Sequence, residues 1–202
     1  MSRPDSPLTV RPDGPAECWT ALRLPDCPLA IEPRSLGKLG PIAERLAARA
    51  PFERKASGAP EAAVAGLGLL PQALRDDILL LAQRFAAFMQ VDAVRLRLEA
   101  VTTNACRKIH ADYTDLRLIT TYHGPGTDYL PLGDEQAEDK LLRMTTGHIG
   151  LFKGRLFAEG HAPCLHRSPP IEGTGGARLV LVIDTPQDEA KAIELQLSQS
   201  GN

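Results

Sequence analysis

The hydrophobic period of this chain changes once, at Gln90, and that change limits the possible folds more than any other feature. Before it, Pro71 opens the segment PQALRDDILLLAQRFAAFMQ. There Leu74, Ile78, Leu81, Phe85 and Phe88 recur at steps of three and four, which is one face of a helix. A shorter helix is predicted from Pro41 in PIAERLAARA, because the N–H that proline lacks would have no partner in a first helical turn. After Gln90, Val94, Leu96 and Leu98 alternate with Arg95, Arg97 and Glu99, the period of a half-buried strand. Further strands are expected over residues 107–113, 116–122, 148–157, 163–166 and 177–184. Turns separate them at Gly124-Pro125-Gly126, Gly147, Gly160, Pro169-Pro170 and residues 173–176.

Three segments are less strongly patterned. Residues 19–24 (WTALRL) suggest a short strand ahead of a Pro25-Asp26-Cys27-Pro28 turn. The Gly/Ala-rich residues 56–68 suggest a loop, and 133–140 (GDEQAEDK) an acidic loop or short helix. Helices first and many short strands afterwards point to an α+β chain with a mainly β core. The expected architecture is a double-stranded β-helix, a jelly-roll or cupin-like barrel with N-terminal helices packed outside. The Pro-rich, polar residues 1–15 are expected to form a flexible leader and 187–202 a polar tail. A single domain would then span 16–186, with the metal-site core at 94–184.

Composition excludes some partners. Of the 202 residues 43% are hydrophobic, enough for a real core. The net charge is −2 and the pI about 6.2, and Arg95, Arg97, Arg107 and Lys108 are scattered among acids, so no nucleic-acid footprint is present. No stretch approaches the roughly 18 apolar residues of a membrane span, and MSRPDSPLTVRPDGP lacks an apolar signal core. A cytoplasmic location is expected. Cys18, Cys27, Cys106 and Cys164 form no CxxC pair and are expected to be free thiols.

The chemistry is concentrated in KIHADYTDLRLITTY. In a strand, residues two apart point the same way, so His110 and Asp112 project together. Such a pair can begin a metal site or simply form a surface His–Asp hydrogen bond. His166, in the strand-like CLHRSPP, would add a second imidazole. Two histidines and one carboxylate on one face of an octahedral ion leave positions open for substrate and oxygen, as in non-haem iron oxygenases. Arg178 heads the strand RLVLVID, apolar on both faces, and shares a face with Val180 and Val182. A guanidinium buried there calls for an anionic partner, although an exposed strand start paired with a surface acid fits as well.

The pattern of His110, Asp112, distal His166 and downstream Arg178 resembles the iron(II)/2-oxoglutarate-dependent oxygenase superfamily. The text from KIHADYTDLRLITTYHGPGTDYL through HRSPP to GGARLVLVID is also similar to a bacterial family described as a domain of unknown function. The resemblance covers residues 94–184. It implies that His110, Asp112 and His166 bind Fe(II) and that Arg178 clamps the distal carboxylate of 2-oxoglutarate. The reaction implied is oxidative decarboxylation of 2-oxoglutarate coupled to hydroxylation of a substrate C–H bond. The His166-to-Arg178 spacing is longer than the family pattern, stretched by residues 173–176.

Other residues carry weaker expectations. Thr120 and Tyr122 share a strand face and are candidates to hydrogen-bond a bound carboxylate, or else line the barrel. Arg167 follows His166 and points away from it, and His123 and His148 flank glycine turns and are expected at the surface. Cys164 shares a face with His166, so a closed Zn(II) site of Cys164, His110, Asp112 and His166 is an alternative, with His161 in reserve. A cupin-like binding module without catalysis is a third possibility. Residues 124–139 and 168–176 are expected to flank the mouth, and Asp128, Asp134, Glu135, Glu138 and Asp139 in the first favour a neutral or cationic small molecule or an amino-acid or protein side chain.

Overall fold

In a computed structural model of the chain, the residues described are 15–104, 107–133 and 138–186. Residues 1–14, Cys106, Asp134, Glu135 and the tail from 187 lie outside them.

The strong helical period becomes α4, Gln72–Met89, whose Leu74, Ile78, Leu81 and Phe85 are buried. It stops where the period changes: Gln90 has a left-handed backbone with φ 56°, the form that closes a helix by turning its last N–H groups back on the final turn. The weaker helix is α2, Leu39–Ala47, and it begins before Pro41. Residues 19–24 are not a strand. They end α1, Pro15–Thr20, and form one 3-10 turn at Ala21–Arg23. Trp19 and Leu22, three apart, are both buried, so the helical spacing prevails over the apparent alternation. Residues 56–68 are not a loop either. They contain the end of β2, Phe52–Gly58, and all of α3, Pro60–Gly66.

The described residues form nine strands, and the principal ones follow the expected segments. The large sheet has six strands in the order β1-β7-β4-β9-β3-β2, with β1 at Leu29–Glu32, β3 at Val94–Val101, β4 at Leu116–His123, β7 at Ile149–Lys153 and β9 at Arg178–Asp184. Every pairing within it is antiparallel. The small sheet runs β6-β5-β8, with β5 at Asp128–Tyr129, β6 at Leu142–Arg143 and β8 at His166–Arg167. Residues 107–113 form no regular strand. Only His110 joins the small sheet, through a bridge to His166. The two sheets have separate hydrogen-bond ladders, and continuous closure into a barrel is not seen among the described residues.

Strand parity divides the core. Leu96 and Leu98 of β3, Leu116, Leu118 and Tyr122 of β4, and Leu179, Leu181 and Ile183 of β9 pack with the buried residues of α2, α3 and α4 in one large apolar cluster. The opposite face of the same strands carries Ile119, Val180 and Val182, which meet Phe152, Met144 and Cys164, with Tyr129 of the small sheet beside them. The site lies on this second face, between the sheets. Among the described residues no helix is long and apolar enough to cross a membrane.

Candidate metal centre

His110 and His166 come together through a reciprocal backbone pair: His110 N–H donates to His166 O at 3.0 Å and His166 N–H to His110 O at 2.9 Å. The turn after Asp112 is held against the end of β7. Gly154 N–H donates to Asp115 O, Arg155 N–H to Asp112 O and Leu156 N–H to Thr114 O, at 2.8, 2.9 and 3.0 Å. A Cβ at Gly154 would stand 2.0 Å from Thr114 O, so only glycine permits this approach.

One ligand atom each from His110, Asp112 and His166 lies within 4.8 Å of the others, a group able to hold a metal ion. The two imidazoles are oriented alike. Nδ1 of His110 is 2.9 Å from Lys108 O and Nδ1 of His166 is 3.1 Å from Cys164 O. A carbonyl can only accept, so each Nδ1 donates its N–H, and in a neutral ring Nε2 is left with its lone pair. Those Nε2 atoms stand 3.5 and 3.2 Å from Asp112 Oδ1 and Oδ2. Asp112 is 9% exposed, and its Oδ2 is buried without any hydrogen-bond donor. Leaving such an oxygen unsatisfied costs about 1–3 kcal/mol or more, a cost that a cation at that point removes. Burial opposes the charge on Asp112, but the two imidazoles, when they carry a proton on Nε2, and Arg117 at 2.6 Å outweigh it and hold the carboxyl well below its ordinary range in the metal-free protein. The donor set therefore fits a divalent ion.

A cavity of about 80 Å³ adjoins the group, lined among others by His110, His166, Arg117, Thr127, Ser168 and Arg178. Arg178 is 2% exposed and is not at an exposed strand start. Its Nε donates to Pro125 O at 2.7 Å, and its Nη2 makes long contacts to the hydroxyls of Thr121 and Thr127 at 3.4 and 3.5 Å. Among the described residues no carboxylate lies within ion-pair distance of it. Burial has pushed its pKa down to about 10, with Glu99 and Asp128 opposing from further off. Gly124, with φ 79°, makes room beside it, since a Cβ there would be 2.3 Å from Ala177 O.

Several expectations need correction. Thr120 and Tyr122 lie on the helix face of β4, not the cavity face. Tyr122 donates to Asp77 Oδ2 of α4 at 2.6 Å, and Thr120 accepts from Arg34 at 3.3 Å. The strand parity that places Arg178 in the cavity places Thr121, Ile119 and Arg117 there with it. Cys164 does not join the converging ligand atoms. It packs, 1% exposed, with Phe152 and Val182, and burial first and Asp112 second push its thiol pKa up. His161 contacts the ammonium of Lys153 at 2.8 Å instead. His123 and His148 are half-buried, not exposed. Asp128 adds no free acid to the mouth, being 3% exposed and forked by Arg143 at 2.7 and 3.2 Å, with Arg167 at 3.5 Å. Arg117 and Asp184 were missed, although an arginine inside the apolar strand LRLITTY is the same kind of signal as Arg178.

The fold is shared with known oxygenases. The dioxygenase for auxin oxidation in rice superposes with a TM-score of 0.58 at 11% identity, over 92% of this chain and 90% of that one. The dioxygenase for auxin oxidation 1 from Arabidopsis thaliana, solved as a complex with 2-oxoglutarate, gives 0.53 at 10% identity, over 86% and 88%. A Pseudomonas putida prolyl-4-hydroxylase gives 0.50 at 11%, over 85% and 98%. At such identities the likeness establishes the fold, a mixed α/β jelly roll of mostly antiparallel sheet. No curated protein matches the chain at a significant level of sequence similarity. Over residues 43–184 the chain matches, and it belongs to, the family described as protein of unknown function (DUF1826).

Proposed function

We propose that the protein is an Fe(II)- and 2-oxoglutarate-dependent oxygenase that hydroxylates a small molecule or an amino-acid side chain. The observation that carries this reading is the pairing, across one small cavity, of a His110–Asp112–His166 group with a buried guanidinium that has no carboxylate partner among the described residues. His110 and His166 would present Nε2 to iron, each fixed by its Nδ1 hydrogen bond, and Asp112 would present Oδ2. Arg178 would receive the distal carboxylate of 2-oxoglutarate, with the Thr121 and Thr127 hydroxyls beside it. Bound iron, 2-oxoglutarate and oxygen together supply oxidative decarboxylation to succinate and CO2 coupled to C–H hydroxylation. The protein's part is to hold ligands, clamp the cosubstrate and exclude water, for which Ile119, Val180 and Val182 form a dry wall. The working unit in this reading is residues 16–186. The rice and Arabidopsis proteins are dioxygenases for auxin oxidation and the bacterial one is a prolyl-4-hydroxylase, in keeping with a small-molecule or residue substrate. A closed zinc site lacks its fourth ligand once Cys164 is withdrawn.

Elemental analysis of untagged protein purified without oxygen tests the centre. About one divalent ion per chain is expected. His110→Ala and His166→Ala should each lose most of it, while His123→Ala and His148→Ala retain it. Equal metal content in all four variants would sink the site.

A further inference from the structure

Arg117 sits between two carboxylates. Its Nη1 donates to Asp112 Oδ1 at 2.6 Å, while Nε and Nη2 fork onto Asp184 at 2.7 and 3.0 Å. The sheet register explains the fork, because Arg117 of β4 lies directly opposite Asp184 of β9 and both project from the cavity face. Asp184 is 7% exposed and has Arg95 at 3.5 Å, so the far end of the fork is itself fixed. A guanidinium held at two points by a strand neighbour has little freedom left, and its third nitrogen is delivered to one place. That place is Oδ1 of Asp112. The other oxygen, Oδ2, has no donor and is turned toward His166.

We propose that Arg117 is a positioning residue that makes Asp112 a one-oxygen ligand, occupying Oδ1 and leaving Oδ2 alone for the ion. The inference rests on the metal-site reading above. A carboxylate can bind an ion through one oxygen or two. Two imidazoles and one oxygen leave three positions of an octahedral ion free, enough for a chelating 2-oxoacid and one further ligand. A carboxylate free to turn would occupy a fourth position and leave too few. The charge balance also fits. A lone arginine beside the centre would repel a divalent cation, but Asp184 offsets it and leaves the charge of Asp112 available.

The test uses Mn(II) bound to the full chain, with water-proton relaxation to count exchangeable waters on the ion and calorimetry to follow 2-oxoglutarate binding. The wild type should carry three waters and Arg117→Met two. In Arg117→Met the 2-oxoglutarate affinity should also fall on the order of tenfold, the usual effect of losing a partner behind a ligand. Arg117→Lys keeps one donor for Asp112 and should recover part of both. A purely bracing role would change the melting temperature without changing the water count. Three waters and unchanged 2-oxoglutarate affinity in a folded Arg117→Met overturn the proposal. If that variant does not fold, Asp184→Ala decides: it removes both acceptors of the fork, so Nη1 is no longer delivered to Oδ1, and a water count and affinity equal to wild type overturn the proposal. Wild-type protein that binds no Mn(II) instead overturns the metal-site reading beneath it.

Discussion

Replacing Arg178 by alanine isolates the proposed cosubstrate site, and the structure sets the size of the expected effect. The guanidinium is 2% exposed and satisfied by one short bond, Nε to Pro125 O at 2.7 Å, and two long ones to threonine hydroxyls. The fold therefore keeps a charge away from water with no counter-ion in contact among the described residues, and burial lowers its pKa to about 10. A carboxylate entering the cavity supplies the counter-ion, and truncating one partner of such a buried pair costs on the order of 3 kcal/mol, or roughly a hundredfold in affinity. Anaerobic Fe(II) protein titrated with 2-oxoglutarate, followed by its visible charge-transfer absorption, should show that loss for Arg178→Ala. Arg178→Lys should lose less, because an ammonium keeps the charge but not the fork. The pH dependence has a definite sign. Arg178 is charged below its lowered pKa and a bound carboxylate stabilises the charged form, so affinity should stay level near neutrality and fall only as pH rises through and beyond about 10. Unchanged affinity in a folded, iron-loaded Arg178→Ala would refute this reasoning. No binding by the iron-loaded wild type would refute the oxygenase reading itself.

Two further substitutions check the assignment of faces. Tyr122→Phe removes the donor to Asp77 and should lower stability by about 1.5–3 kcal/mol in denaturant unfolding, the worth of a bond to a charged acceptor. It should leave 2-oxoglutarate affinity unchanged, and a large loss of affinity would return Tyr122 to the cavity. Cys164→Ser puts a hydroxyl into an apolar cluster and should cost about 1–3 kcal/mol while leaving metal affinity unaltered. A sharp fall in zinc affinity would revive the closed four-ligand site.

The fold was legible where long segments obey one period. Residues 72–89 and the strands β3, β4 and β9 are places where helix or strand spacing is sustained over several residues. It was illegible where short text satisfies two periods at once. WTALRL alternates like a strand, yet Trp19 and Leu22 also stand one helical turn apart, and burial of both selects the helix. β2 (FERKASG) was hidden for a different reason. It lies at the end of its sheet, with Glu53, Lys55 and Ser57 exposed, so its polar half obscures Phe52, Arg54 and Ala56 on the helix side. The Pro60 that opens α3 was a usable helix signal in the same stretch.

At the candidate site the limit was one of parity. A period of two groups Thr120 with Tyr122 and Arg117 with Thr121, but it does not say which group faces the cavity, since both faces of β4 are buried. Register decides it: Arg117 pairs with Asp184 and Thr121 with Val180, which sets Thr121 and Arg117 on the face of Arg178. The information needed was present in another form. A charged residue in a strand buried on both faces needs a stated partner, and this argument, applied to Arg178, applies equally to Arg117 and Asp184. It does not by itself mark a site, because Lys153 is as deeply buried on the helix side. There the ammonium donates to Leu24 O at 2.7 Å, meets His161 at 2.8 Å and lies over Phe157, so its needs are met within the fold. Arg178 differs in having, among the described residues, only one short bond and no carboxylate in reach. What marks Arg178 as a candidate binding residue is therefore an unmet partner after burial, a property that only the packed structure exposes.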